Sequence, residues 1–215
     1  MSSFLLIVFQ TICQYVRIQI LLFNEKDLVK EISKINSKNL KLLLIYLNCS
    51  NFAFMEEFVV LIDEQDNQLG LMEKQQAHVA GLLHRAFSVF VFNEKGDLLL
   101  QQRAASKYHS PLLWTNTCCS HPREGETYKE AAIRRLQEEM GFQCEIEQKF
   151  HFIYKAKLGE QLFEHELDHV FTGTYSGEIS INPEEVEAYK WIKMDDLIQD
   201  MNAHPDSYTV WFKII

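Results

Sequence analysis

Glu164-His165-Glu166 falls within a run of aromatic and β-branched residues, Phe163 to Tyr175, that reads as a strand. Side chains alternate faces along a strand, so Glu164 and Glu166 point one way and His165 the other. Two carboxylates so close repel unless a cation sits between them or one takes a proton. Further ligands are available upstream in His78, His84 and His121, on separated segments. Three imidazoles and two carboxylates would make a site for Mn²⁺, Mg²⁺ or Zn²⁺, with a sixth position left to water or backbone. The other five histidines, His109, His151, His165, His169 and His204, read as ordinary surface or core residues. A second chemical stretch is Thr115-Asn116-Thr117-Cys118-Cys119-Ser120-His121-Pro122. A cysteine taken alone is most often a buried, inert thiol; beside a metal-bound His121 that reading weakens.

The elements that must position these groups follow from local pattern. Thr127 followed by Glu130 is a capping-box start, Ala132, Leu136 and Met140 recur at four-residue spacing, and Gly141 stands where a helix ends. A helix is therefore expected over residues 127–140, with Arg135, Glu138 and Glu139 together on one exposed side, where ordinary i,i+4 ion pairs are the plain reading. Phe58 to Ile62 reads as a strand, Asp66 to Gly70 as a turn and short return, and Lys74 to His84 as a polar loop. Phe87 to Phe92 and Leu98 to Gln102 form a hairpin through Asn93-Glu94-Lys95-Gly96. An irregular stretch from Ala104 to Thr117 follows. Phe150 to Lys157, Phe163 to Tyr175 and Val186 to Ile192 complete the strands, and Asp195 to Met201 and Ser207 to Phe212 read as short helices. Mixed strands with few helices around one core define an α+β fold.

Composition divides the chain. Residues 1–55 contain none of the eight Gly, four Pro or eight His. They carry six basic and three acidic residues, leaving fifteen basic and twenty-seven acidic ones in the body, a balance of 15 − 27 = −12. So acidic a body offers no basic face for a nucleic-acid backbone, and no nucleic-acid partner is expected. Phe4 to Phe23 has the length of a membrane span, but Gln10, Gln14, Arg17 and Gln19 interrupt it at a cost in lipid, so no membrane partner is expected either. Residues 1–55 are read as an N-terminal extension outside the fold, with Met55 the expected true start and residues 56–215 the domain. Five cysteines, an odd number without a paired framework, suit a reducing compartment, so a cytoplasmic location is expected.

The stretch from Ser120 to Phe142 resembles the Nudix box, G-x5-E-x7-R-E-U-x-E-E-x-G-U with U apolar, through Glu126, Arg134, Leu136, Glu138, Glu139 and Gly141. Arg135 occupies a position where the pattern has Glu, and a guanidinium there removes a metal ligand and repels cations, which disfavours hydrolysis. Together with Lys74, His78, His84, Arg103, Lys107, the Thr115 to Pro122 run, Tyr154 and Glu164-His165-Glu166, the body resembles the type I isopentenyl-diphosphate isomerases. That resemblance implies a Nudix-type α/β/α sandwich with a mixed β-sheet, and interconversion of isopentenyl and dimethylallyl diphosphate. It makes Cys119 and Glu166 the catalytic pair, with Tyr154 hydrogen-bonding near Glu166. His78, His84, His121, Glu164 and Glu166 become the metal ligands, and Glu139 the contact to a second ion, Mg²⁺, on the substrate diphosphate. Lys74, Arg103, Lys107 and Arg135 become the diphosphate grip, and Trp211 the aromatic face for a carbocation, an interaction of about 0.5 to 2 kcal/mol. An isoprenoid diphosphate is then the partner, and a monomer is expected. Cys118 adjoins Cys119, and only register selects Cys119, two residues before His121. Two alternatives remain: a Nudix diphosphohydrolase, and a non-catalytic metal-dependent diphosphate-binding module.

Overall fold

The alternation of apolar side chains along two neighbouring strands, β3 (His84–Phe92) and β4 (Leu98–Arg103), builds the layers of this protein. Phe87, Val89, Val91 and Leu99 face one way, into a core with Ala131, Ala132, Leu136 and Met140 of α2 (Tyr128–Met140). Phe90, Phe92, Leu98 and Leu100 face the other way, against Leu197 of α3 (Met194–Ala203) and Trp211 and Phe212 of α4 (Val210–Ile214). Helices thus cover both faces of one sheet, the α/β/α arrangement that the resemblance implies. The computed structural model describes residues 57–159 and 161–215. The expectations placed on residues 1–55 lie outside the described residues. No helix among the described residues is long and apolar enough to cross a membrane.

Among the described residues the sheet has nine strands and is mixed. β3 lies parallel to β8 (Leu162–Thr174) from His84 opposite Glu166 to Phe92 opposite Thr174, and antiparallel to β6 (Cys118–Ser120) through Ser88 opposite Cys119. β7 (Ile146–Leu158) forms a long antiparallel ladder with β8, in which Tyr154 faces Glu166. β1 (Phe58–Ile62) joins β3 at Leu61 opposite His84 and carries β2 (Gln68–Glu73) on its outer side. β4 pairs with β5 (Trp114–Thr115) and β9 (Val186–Ile192).

Local chemistry fixes the turns. Asn93 Oδ1 accepts hydrogen bonds from the backbone of Lys95 and Asp97, each at 2.9 Å, and Gly96 supplies a φ of 81° to close the hairpin. Thr127 caps α2 reciprocally with Glu130, a device worth about 1 kcal/mol. Gly141 ends it at φ 75°, and a Cβ there would meet the Ser180 carbonyl oxygen at 2.2 Å.

Three expectations need correction. Lys74 to His84 is no simple loop, since Lys74–Ala80 forms a short helix, α1, capped by the Glu73 carboxylate and ended by Gly81. With only Ala77 and His78 buried, it has no apolar stripe from which the sequence could announce it. Ser207 to Phe212 is divided, with a 3₁₀ turn at Pro205–Ser207 and α4 beginning at Val210. Finally, Glu139 is not on an exposed side: it is 4 % exposed and turned inward.

Candidate active site

The five metal-ligand candidates come from four elements that meet at one end of β3. His78 sits on α1, His84 at the first position of β3, His121 just beyond β6, and Glu164 and Glu166 on the inward face of β8. The parallel register setting His84 opposite Glu166 brings an imidazole beside a carboxylate. One ligand atom from each of the five lies within 4.8 Å of all the others, and all five residues are buried. His84 Nδ1 is 2.8 Å from the Leu82 carbonyl oxygen and His78 Nδ1 is 2.8 Å from the Tyr108 hydroxyl, so both rings turn Nε2 inward.

The donor atoms fit a divalent cation. His78 Nε2 and Glu164 Oε2 stand 3.5 Å apart, both buried and both without a hydrogen-bond partner. His84 Nε2, also unpartnered, stands 3.6 Å from Glu166 Oε1. Buried polar atoms normally find a partner, so lone pairs gathered around one point call for a positive charge between them. The protein atoms alone balance the charge otherwise. Burial and the neighbouring Glu166 push the Glu164 carboxyl well above the usual range. Burial works in the same direction on Glu166, but the His121 and His84 imidazoles beside it outweigh that effect and hold the carboxyl well below. Burial lowers His78 to about 2, leaving a neutral ring with a lone pair to give.

Glu166 carries more contacts than a ligand needs. His121 Nε2 lies 3.0 Å from its Oε1, and the Tyr154 hydroxyl donates to its Oε2 at 2.6 Å. Cys119, half-buried, lines the same cavity as Glu166 and Tyr154, a space of about 210 Å³. Cys118 faces the opposite way, into the core beneath α2. The Cys119 thiol is raised to about 12 by burial, which keeps its proton on. The cysteine strand is held by its polar neighbours. Asn116 Nδ2 donates to the Cys118 carbonyl at 2.8 Å, and Thr117 Oγ1 donates to the Leu99 carbonyl at 2.7 Å. Trp211 Nε1 donates to Thr115 Oγ1 at 2.9 Å, fixing the indole against the cavity.

The four expected diphosphate contacts line the same cavity, all engaged with protein groups. Arg135 donates to Glu139 Oε1 at 2.6 and 3.0 Å, to Glu138 at 2.9 Å and to Glu185 at 3.0 Å. Lys107 also binds Glu185, and Lys74 pairs with Glu57 at 2.8 Å. Arg103 donates to the Ser110 and His109 carbonyls, with its guanidinium carbon 5.2 Å from the centre of the Trp211 ring. Gln101 donates to Glu139 Oε2 at 2.8 Å. The cavity therefore brings together every expected site residue except His84, which sits fully buried behind it.

Glu57, Gln101, Tyr108, His109 and Glu185 also line this space, and sequence reasoning passed over them. His109, taken as an ordinary histidine, is mostly buried, with Nε2 3.9 Å from Glu164 Oε1. His165 does point away, its Nδ1 2.9 Å from the Gly81 carbonyl oxygen.

A mixed sheet between helices, with a carboxylate-bearing helix beside a polar cavity, defines a Nudix domain, and the NUDIX domain family matches residues 82–212. The solved structure of DR0079 from Deinococcus radiodurans aligns over 68 % of this chain and 90 % of its own, with a TM-score of 0.54 at 18 % identity, a likeness of fold. Among curated relatives, Isopentenyl-diphosphate Delta-isomerase 2 of Photorhabdus laumondii is 54 % identical over 161 residues, 75 % of this chain and 91 % of that one. Isopentenyl-diphosphate Delta-isomerase of Serratia proteamaculans is 48 % identical over 161 residues, 75 % of this chain and 90 % of that one. The chain belongs to the isopentenyl-diphosphate Delta-isomerase family.

Proposed function

We propose that this protein interconverts isopentenyl and dimethylallyl diphosphate, with Cys119 and Glu166 as its proton-transfer groups. The observation that carries this reading is the shared cavity: a thiol and a carboxylate reach one space that is also lined by Lys74, Arg103, Lys107 and Arg135. An isolated alkene is a very weak base, so moving its double bond by proton transfer passes through a tertiary carbocation and needs both an acid and a base. One group adds a proton at the terminal carbon, and the other removes one from the carbon across the cation. The double bond moves by one position and no atom leaves the substrate. The Tyr154 hydrogen bond orients Glu166, and Trp211, which lines the same cavity, would supply an aromatic face to the developing positive charge.

A divalent cation held by His78, His84, His121, Glu164 and Glu166, as Mn²⁺, Mg²⁺ or Zn²⁺, would supply the positive charge that keeps both carboxylates ionised and oriented. Glu139, whose oxygens now accept from Arg135 and Gln101, would be the contact to Mg²⁺ brought in on the substrate diphosphate. Arg135 at the box position supports the isomerase over a diphosphohydrolase, since the guanidinium already engages Glu138 and Glu139. The odd cysteine count supports a cytoplasmic location, and the protein is proposed to act as a monomer.

The test is NMR of isopentenyl diphosphate with protein and Mg²⁺ in deuterated water, which reads isomerisation and solvent-proton exchange together. Conversion without phosphate release is expected; phosphate release would support the hydrolase, and binding without turnover the binding module. A chain beginning at Met55 is expected to give the same conversion, because every candidate site residue lies downstream of it. Conversion lost on removing residues 1–54 would count against the domain boundary.

Arg135→Gln is expected to raise KM for isopentenyl diphosphate more than tenfold, since a lost charged hydrogen bond costs about 1.5 to 3 kcal/mol. Steady-state kinetics check it, and an unchanged KM would remove Arg135 from the diphosphate grip.

A further inference from the structure

We infer that Tyr108 is a positioning residue for the metal cluster, acting through His78. The inference rests on reading the five-residue cluster as a cation site. Its basis is how the three imidazoles are held. His84 is oriented by a backbone acceptor, the Leu82 carbonyl, at 2.8 Å. His121 Nδ1 is buried without a protein partner, and its Nε2 faces Glu166. His78 alone has a side-chain partner on its outer nitrogen, the Tyr108 hydroxyl at 2.8 Å.

A neutral imidazole carries one N–H, and a ring that binds a cation through Nε2 must keep its proton on Nδ1. Tyr108 is the one side chain on His78 Nδ1, the ring's Nε2 faces the equally unpartnered Glu164 Oε2 at 3.5 Å, and the arrangement assigned to the site has the Tyr108 oxygen accepting from Nδ1–H. With Nδ1–H donated to the tyrosine oxygen, the Nε2 lone pair is aimed into the cluster. Outer partners of ligand histidines fix both tautomer and ring orientation, and their loss costs about 10- to 100-fold in metal affinity.

The placement of Tyr108 gives the contact a second consequence. The residue follows Lys107, which binds Glu185, and precedes His109, whose carbonyl accepts from Arg103. Two residues of this loop, Ser110 and Leu112, hold positive φ angles of 48° and 61°, so its path is tightly specified. One short segment therefore ties a ligand histidine to Lys107 and Arg103, two of the cations lining the cavity.

The test compares wild type with Tyr108→Phe, which keeps the ring and removes only the hydroxyl. Mn²⁺ and Zn²⁺ affinities are measured by competition with a chromogenic chelator, and the His78 tautomer by long-range ¹H–¹⁵N correlation in the metal-free protein. The variant is expected to bind at least tenfold more weakly and to show His78 with mixed tautomers, while the metal-free thermal midpoint stays unchanged. An affinity within twofold of wild type, or an Nδ1–H tautomer kept intact, overturns the inference. So does a weakened affinity that appears only together with a lowered metal-free midpoint, since that is general loosening of the loop. If wild type itself binds neither ion, the cation-site reading fails first, and the two failures are told apart.

Discussion

Cys119→Ala is expected to abolish isomerisation, a loss of at least about 100- to 10,000-fold, the range a positioned proton-transfer group contributes. Cys118→Ala is expected to keep turnover within a few fold. The two thiols differ by one position on β6, and the strand's alternation sends them to opposite faces. Cys118 is fully buried among Leu136, Met140 and their neighbours under α2, so its truncation should lower stability by about 1 kcal/mol through lost packing. Cys119 lines the cavity with Glu166, Tyr154 and Trp211. Conversion of isopentenyl diphosphate followed by NMR, with thermal unfolding of both variants, separates the effects. Equal losses of turnover in the two would mean that the thiol is not a proton-transfer group.

That same alternation explains what the sequence reveals of this protein and what it hides. Glu164 and Glu166 could be placed on one face, opposite His165, because period two is a local property of an extended chain. Thr127, Glu130 and Gly141 marked both ends of α2 for the same reason. Partner choice is not local. Nothing in β3 or β8 alone says that they run parallel with His84 beside Glu166, yet that register brings together two of the five members of the metal cluster. The inward turn of Glu139 depends likewise on Gln101, which reaches it from β4. Glu57 and Glu185 are ordinary surface acids in the linear sequence, and they matter because distant strands bring them against Lys74, Lys107 and Arg135. Tyr108 and His109 sit in an irregular stretch with no period to read, so only the folded loop shows them turned toward His78 and Glu164. The Nudix box and the Cys-Ser-His run were visible because they are short and contiguous.

Glu164→Gln and Glu166→Gln are expected to separate cation holding from proton transfer. Glu164 meets His78 and His109, and no hydrogen bond ties it to Tyr154. Its amide variant should weaken cation affinity at least tenfold, as loss of a charged ligand must, with much of the turnover restored at saturating Mn²⁺. Glu166 has no such spare role. Its Oε1 meets His121 at 3.0 Å and faces His84 at 3.6 Å, while its Oε2 accepts from Tyr154 at 2.6 Å. An amide cannot reproduce both oxygens. Turned one way, its NH₂ meets the Tyr154 hydroxyl, which must then give up its donor role. Turned the other way, it points donors at His121 and His84 where a cation needs lone pairs. In either orientation it can no longer carry a proton between substrate and solvent at neutral pH. Turnover of Glu166→Gln should therefore fall at least about 100-fold and stay low at saturating Mn²⁺. Cation affinity by chelator competition and turnover by NMR, each measured across a metal titration, give the comparison. Recovery of Glu166→Gln to the level of Glu164→Gln at high metal would reduce Glu166 to a ligand, and the second proton-transfer group would have to be sought elsewhere in the cavity.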